Sequence, residues 1–316
     1  MIYTVTLNPA RDRTVTIPDF EAGKVNRIQT IRDDPGGKGI NVSKVIHTLG
    51  GRSVAMGILG GATGKYIQKS VSEMGIETDF AFTKAQTRTN TKVIDPARHV
   101  TTDINEPGAP VGKRVLTSVI SRLLSKAGRN DIVVFAGKIP AGANSALIAE
   151  WTKKLSAQGA RVFLDADSAT LAEGVKAAPY LIKPNETELS QLLGAPLRSL
   201  SEVYDGARRV MDATGVKYVA VSLGADGALF VGETGAWRAE AIPVNVLSTV
   251  GAGDAMMAAL AYGFDAGMPA EEAYRWAMAA GAASVTVSGT QSPARSLVES
   301  LYGRAAISKY AQESHF

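Results

Sequence analysis

From residue 112 onward, short apolar runs alternate with helical stretches, and this alternation restricts the chain to few architectures. Residues 132–136, 161–165, 180–183 and 218–223 read as buried strands. Residues 113–126, 143–158 and 201–213 read as helices, and two more begin at Gly253 and Ala270. Upstream, residues 2–7 and 53–59 are further strands, while 40–49 and the stretch leading to Met74 are helical. Such a pattern predicts an α/β fold with a mostly parallel sheet covered on both faces. Residues 13–17 alternate polar and apolar, as a half-exposed strand does. Residues 77–111 also lack a helical period and carry prolines at 96, 107 and 110, so they are expected as solvent-facing β structure outside the main sheet. Together with residues 13–32 they predict a small β lid, and the tail after Gly303 is expected to be peripheral.

The 316 residues hold 45% hydrophobic and 20% charged side chains, an ordinary globular balance with enough chain for a large core. A net charge of +4 with no dense basic run argues against nucleic acid as a partner. There is no cysteine, which excludes a disulfide scaffold and thiolate metal sites and fits a cytoplasmic location. The start of the chain carries no signal-peptide pattern, and the longest apolar run, 255–264, is too short to span a membrane.

Polar and glycine-rich residues gather where the predicted strands end. Asp12, Gly137, Asp165, Lys183-Pro184-Asn185 and Ser222-Leu223-Gly224 all lie at or just beyond strand ends, the edge where open α/β sheets bind ligands. The stretch Ser248-Thr249-Val250-Gly251-Ala252-Gly253-Asp254 turns into a helix there. Its glycines allow close backbone approach, and the first free amides of the helix suit a phosphate or a phosphoryl transition state. Asp254 stands at that anion hole, placed to take a proton from a hydroxyl. The helix dipole is expected to favour the ionised form by roughly 0.3–1 kcal/mol, making Asp254 a weaker base.

Lys183-Pro184-Asn185-Glu186-Thr187-Glu188 offers a lysine for phosphates and hard oxygen donors for Mg²⁺. Asn185 and Glu188 also have the spacing of a helix capping box. Gly36-Gly37-Lys38-Gly39-Ile40-Asn41 brings a cation and an amide to a glycine turn opposite Asp12, and Arg88 suits a phosphate. Other patterns fail. Gly60-Gly61-Ala62-Thr63-Gly64-Lys65-Tyr66 is one residue short of a P-loop, and Met256 replaces the third glycine of a dinucleotide fingerprint. His47, His99 and His315 have no metal-ligand spacing.

With these stretches in one order, the chain resembles the ribokinase-like (PfkB) carbohydrate kinases, in particular their hexose-phosphate branch. The resemblance is carried by Gly36-Gly37-Lys38-Gly39-Ile40-Asn41-Val42, by Lys183-Pro184-Asn185-x-x-Glu188-Leu189 and by Val250-Gly251-Ala252-Gly253-Asp254. It implies one three-layer α/β/α domain over residues 1–316 with a lid at about 10–34 and 86–111 that also serves a homodimer interface. It implies ATP and Mg²⁺ as cofactors and a ketohexose monophosphate as substrate: fructose 1-phosphate first, with fructose 6-phosphate and tagatose 6-phosphate as alternatives. By matched position, Asp254 is the base and Gly251, Ala252 and Gly253 the anion hole. Asp12, Gly37, Lys38, Asn41, Arg88, Asn90 and Lys138 fall in the sugar-phosphate region, and Lys24 matches a lysine reaching the neighbouring subunit's substrate. Lys183, Asn185, Ser222, Gly224 and Gly227 fall in the nucleotide region, and Asn185 and Glu188 in the metal region. Two positions depart from the family pattern: Lys138 stands where a serine is usual, and Ala255 replaces the serine after the base. A catalytically silent sugar-phosphate sensor is the alternative from another class that these departures motivate.

Overall fold

The structure, a computed structural model, describes residues 1–311; His315 lies outside them. The first half of the chain forms β1 (Ile2–Thr6), β2 (Ala10–Thr16), β3 (Thr30–Gly36), α1 (Lys38–Thr48), β4 (Ser53–Gly60), α2 (Gly61–Glu73), β5 (Glu77–Thr83), β6 (Arg88–Asp95), β7 (Val100–Asn105), α3 (Lys113–Lys126) and β8 (Ile132–Ala136). There follow α4 (Ala146–Ala157), β9 (Arg161–Asp165), α5 (Ser168–Gly174), β10 (Leu181–Ile182), α6 (Glu186–Leu193) and α7 (Leu200–Thr214). The rest is β11 (Tyr218–Ser222), β12 (Ala228–Gly232), β13 (Gly235–Ala239), α8 (Ala252–Asp265), α9 (Ala270–Ser284), α10 (Arg295–Tyr302) and β14 (Ile307–Tyr310).

Ten strands form one sheet in the order β14-β13-β12-β11-β10-β9-β8-β1-β4-β5. The seven from β5 to β11 are parallel, and β12, β13 and β14 extend the sheet antiparallel. Successive residues of a strand point to opposite faces, so each central strand feeds two cores. Val133, Phe135, Val162 and Leu164 pack with Leu123 of α3, Trp151 and Leu155 of α4 and Val210 of α7. Ile132, Val134 and Phe163 face the other way, onto Val42 and Ile46 of α1, the small-residue run of α8, and Tyr274 of α9. That double demand explains why these strands are apolar without interruption, and it makes the fold a three-layer α/β/α sandwich.

Two expectations are corrected. β5 pairs in parallel with β4 and belongs to the main sheet, not outside it. As the edge strand it is half exposed, so it carries the alternating pattern of a lid strand. The tail is not peripheral at its strand: Ile307–Tyr310 pairs with β13 and forms the other edge.

A second sheet has the order β3-β2-β6-β7. Its central pair is parallel and sets Ala10 beside Arg88 and Asp12 beside Asn90. Gly36, expected in a turn, ends β3, and the turn itself begins at Gly37 with φ +118°. In the main sheet, the chain runs outward from β1 to β4 and β5 on one side and to β8 through β11 on the other. The order therefore reverses between β1 and β8, and ligands of such sheets bind beyond the carboxyl ends at that point.

Candidate active site

The loop after residue 248 reaches that edge and ends in Gly251, the N-cap of α8, at φ +91°. A left-handed residue here is what swings the first turn of α8 toward the cleft, and glycine adopts it without cost. Among the described residues, the amides of Gly253 and Asp254 have no hydrogen-bond acceptor, so they remain as outward donors at the positive end of the helix. Gly253 is also tight: a Cβ there would sit 3.0 Å from Lys183 Nζ. Ala255, by contrast, is fully buried among the apolar residues below α8 and lines neither of the two cavities described below.

Asp254 is only 5% exposed, and its Oδ2 accepts a hydrogen bond of 2.9 Å from Asn41 Nδ2 on α1. A second buried acid stands nearby. Asp165 closes β9 at 1% exposure, with Oδ1 accepting from Lys38 Nζ at 2.9 Å and Oδ2 facing Lys183 Nζ at 3.2 Å. Burial works to protonate Asp165, but the two lysines outweigh it and hold the carboxyl below its ordinary range. Lys38 is held strongly in its charged form, chiefly by Asp165. Asp254 goes the other way. Burial first, then the negative Asp165, push it up to about 6 against the pull of Lys38, Asn41 and Lys183. This corrects the expectation from the helix dipole alone: Asp254 is a stronger base than a free carboxylate, not a weaker one.

A cavity of about 460 Å³ opens between the small sheet and this edge. From the edge come Lys38, Asn41, Gly251, Gly253 and Asp254; from the small sheet come Asp12, Arg88 and Asn90. The β2–β6 register aligns Asp12 with Asn90, whose Nδ2 donates to Asp12 Oδ1 at 3.0 Å. Arg88 Nη1 donates to Asn90 Oδ1 and to the Glu106 carbonyl, both at 2.9 Å, which fixes its guanidinium while burial weakens its hold on the proton. A neighbouring cavity of about 290 Å³ shares Gly37, Lys38 and Arg88 and adds Gly137, Lys138, Asp167 and Glu188. It lies over the ends of β1 and β8, where the strand order reverses.

Of the other positions singled out from sequence, some hold their expected places and others stay away from the cavities. Asn185 and Glu188 form the full capping box of α6: Asn185 Oδ1 accepts from Glu188 N at 2.8 Å, and Glu188 Oε2 from Asn185 N at 2.9 Å. Lys183 is buried beside the anion hole. Ser222, Gly224 and Gly227 make the β11–β12 turn on the same edge, tied to the 184–185 loop by the Ser222 amide, but they line neither cavity. At Gly227 a Cβ would lie 2.1 Å from the Ala239 carbonyl, so the turn needs glycine. Lys24 sits on an exposed loop, pairs with Glu21 at 3.3 Å and is not brought to this chain's cavities. Asp165, Lys44 and Thr290 had no motif to mark a role for them, although Asp165 ends a legible strand.

Free helix amides, a buried carboxylate beside them and two lysines at arm's length suit the transfer of a phosphoryl group to a small hydroxylic acceptor. The class is that of the small-molecule kinases. Within it, the chain belongs to the pfkB family of carbohydrate kinases, which it matches over residues 5–297. It is 35% identical over 307 residues to a 1-phosphofructokinase of Haemophilus influenzae, with 97% of each chain covered. Among solved structures it is similar to phosphofructokinase-2 of Escherichia coli in complex with substrates and products, with a TM-score of 0.91 at 29% identity over 96% of this chain and 98% of that one. A ribokinase of Thermotoga maritima, 24% identical with a TM-score of 0.77 and 96% and 99% covered, shares the fold. The protein is thus a sugar phosphotransferase with a ribokinase-like fold.

Ionised Asp254 carries a folding cost. With its pKa raised from an ordinary value near 4 to about 6, the folded state binds the extra proton between these values, so stability falls as pH rises through that window. Asp254→Asn should therefore raise Tm at pH 7.5 by a few degrees, as about 1–3 kcal/mol of burial cost disappears. The same variant should lose at least about 10²-fold in kcat. Unchanged turnover, or a variant less stable than the parent at that pH, contradicts the assignment.

Proposed function

We propose that this kinase transfers the γ-phosphoryl group of ATP to O6 of fructose 1-phosphate, giving fructose 1,6-bisphosphate. The observation that carries the proposal is the buried Asp254 beside unbonded helix amides, facing a cavity whose other wall holds Asp12, Asn90 and Arg88. Asp254 accepts the hydroxyl proton as O6 attacks, and its raised pKa matches that task near neutral pH. The free amides at Gly253 and Asp254 stabilise charge on the phosphoryl oxygens, with Gly251 turning them inward and the Ala252 amide already donating to the Thr249 carbonyl. Lys38 and Lys183 add positive charge without needing to move far. Asp12, held by Asn90, receives sugar hydroxyls. Arg88 and Lys138 take the phosphate that the sugar already bears, and Lys138 supplies charge where the family pattern has a serine hydroxyl. The 1-phosphofructokinase relatives support fructose 1-phosphate as the acceptor.

The nucleotide is read as lying along the 183–188 and 222–227 loops. Among the described residues no three His, Cys, Asp or Glu cluster as metal ligands. The donors that remain, the Glu188 carboxylate and the Asn185 amide, are hard oxygens that suit Mg²⁺, which usually completes its shell with water and nucleotide phosphates. Bound there, the ion would supply charge neutralisation on the phosphates; the orientation of Glu188 comes from the capping box.

We also read the small sheet as a homodimer interface. Ile31, Val100 and Ile104 are each more than half exposed on it, as are Val25 and Ile28 on the adjoining loop. Sedimentation should find a dimer at micromolar concentration and a monomer for Ile104→Glu; a monomeric parent chain overturns this part. No helix among the described residues is long and apolar enough to cross a membrane, and the cysteine-free chain supports a cytoplasmic place.

The substrate is tested by ADP release with Mg²⁺-ATP and fructose 1-phosphate, fructose 6-phosphate and tagatose 6-phosphate side by side. A kcat/KM at least about tenfold higher for fructose 1-phosphate is expected, the equivalent of one well-placed charge contact. A preference for either 6-phosphate overturns the substrate but keeps the base and the anion hole. No turnover with any of the three favours a silent sugar-phosphate sensor.

A further inference from the structure

Residues 288–292 cross the mouth of the larger cavity between α9 and α10, and Gly289 and Thr290 line it. Among the described residues this segment makes no backbone–backbone hydrogen bond. Two cationic side chains, Arg32 and Lys44, hold it instead. Arg32 Nη2, from β3, donates to the Ser288 carbonyl at 3.3 Å. Gly289 turns beneath that guanidinium at φ +66°, where a Cβ would stand 3.1 Å from Arg32 Nη2. Lys44 Nζ, from α1, donates to the Thr290 carbonyl at 2.7 Å and to the Pro35 carbonyl at 3.2 Å. Thr290 then directs its hydroxyl to Asp12 Oδ2 at 3.4 Å.

Lys44 is an unusual residue for this task. It is 6% exposed, and its hydrogen bonds go to carbonyl oxygens rather than to a carboxylate. A buried ammonium is expensive, and a purely structural tie between two carbonyls is made more cheaply by a neutral donor. Burial weakens the hold of Lys44 on its proton, and what opposes this is the acids around the sugar pocket, Asp34, Asp12 and Asp254, toward which the charge is drawn.

We propose that Lys44 is a positioning residue for the sugar phosphate: its ammonium clamps the 288–292 segment to the end of β3 and so presents the Thr290 hydroxyl to Asp12 and to the bound sugar. The clamp joins the β3–α1 corner to the segment after α9, which sequence keeps far apart. Arg32 ties the same segment to the small sheet, so the flap and that sheet close on the sugar as one wall. Among the described residues, no hydrogen bond joins this clamp to Lys183, Asn185 or the 222–227 turn, where the nucleotide is read. The inference therefore separates the two substrates: loosening the clamp weakens the sugar phosphate and spares ATP.

This builds on the proposed sugar-kinase site but not on which ketohexose phosphate is used. The experiment takes the full chain and whichever of the three sugar phosphates it turns over best, and measures KM for sugar and for ATP separately. Lys44→Met removes the charge at similar volume and should raise the sugar-phosphate KM about 10- to 100-fold, the usual consequence of leaving buried acceptors without their charged donor. The KM for ATP should stay within about twofold, and kcat should fall less than KM rises. Thr290→Val, at a half-exposed position that does not threaten folding, should raise the sugar KM about three- to tenfold and leave Tm unchanged. Equal rises for ATP and sugar, or an unchanged sugar KM in Thr290→Val, overturn the proposal. A parent enzyme that prefers a different sugar phosphate revises the substrate and leaves this test intact.

Discussion

One ion pair network decides how this sheet edge behaves. Asp165, at the end of β9, is closed off from solvent between Lys38 of α1 and Lys183 just beyond β10. Burying Asp165 and Lys183 is costly, and the cost is tolerable only because the half-exposed Lys38 and the buried Lys183 each meet a carboxylate oxygen at close range. The arrangement draws α1, β9 and β10 to one point, directly under the first turn of α8. Its net effect on Asp254 is the property that matters: a second buried carboxylate raises the hold of Asp254 on a proton, while Lys38 is kept in its charged form close by. Above its raised pKa, the ionised form of Asp254 is held at a cost in stability.

The fold supplies the geometry around that network. The reversal of strand order between β1 and β8 opens a crevice, and the residues after both strands, Asn8 and Gly137–Lys138, line its floor. The small sheet then brings Asp12, Arg88 and Asn90 over it through a parallel β2–β6 register, in which one step of slippage in β6 would turn Arg88 and Asn90 away from Asp12. Phosphoryl transfer asks little covalent work of a protein and much positioning, a demand that the roles proposed for the α8 amides, Lys38 and Lys183 would meet.

Much of this was legible in the chain. The central strands announced themselves because both faces are buried, and the Gly251–Asp254 turn because small residues and an acid open a buried helix. The edge strands were not: β5 is half exposed and mimicked a lid strand, and β14 is a short mixed segment whose partner, β13, is distant in sequence. Side chains that act through long-range partners were also hidden. Lys44 reaches Thr290, and Thr290 reaches Asp12, across most of the chain, with no local pattern to signal either. The sign of the Asp254 shift failed for the same reason. A helix dipole is visible in sequence, but the burial of Asp254 and the approach of Asp165 are products of the tertiary fold and outweigh it.

The central claim is that burial and Asp165 together make Asp254 a base poised near neutrality. Labelling aspartate side-chain carboxyls with ¹³C and following the Asp254 resonance by NMR from pH 4 to 8, assigned by its loss in Asp254→Asn, tests this without turnover. The account predicts a midpoint near 6 in the parent chain, and a lower one in Asp165→Asn, where the neighbouring negative charge is gone. A midpoint at or below about 4, the value of a free carboxylate, or one that Asp165→Asn leaves unmoved, would contradict it.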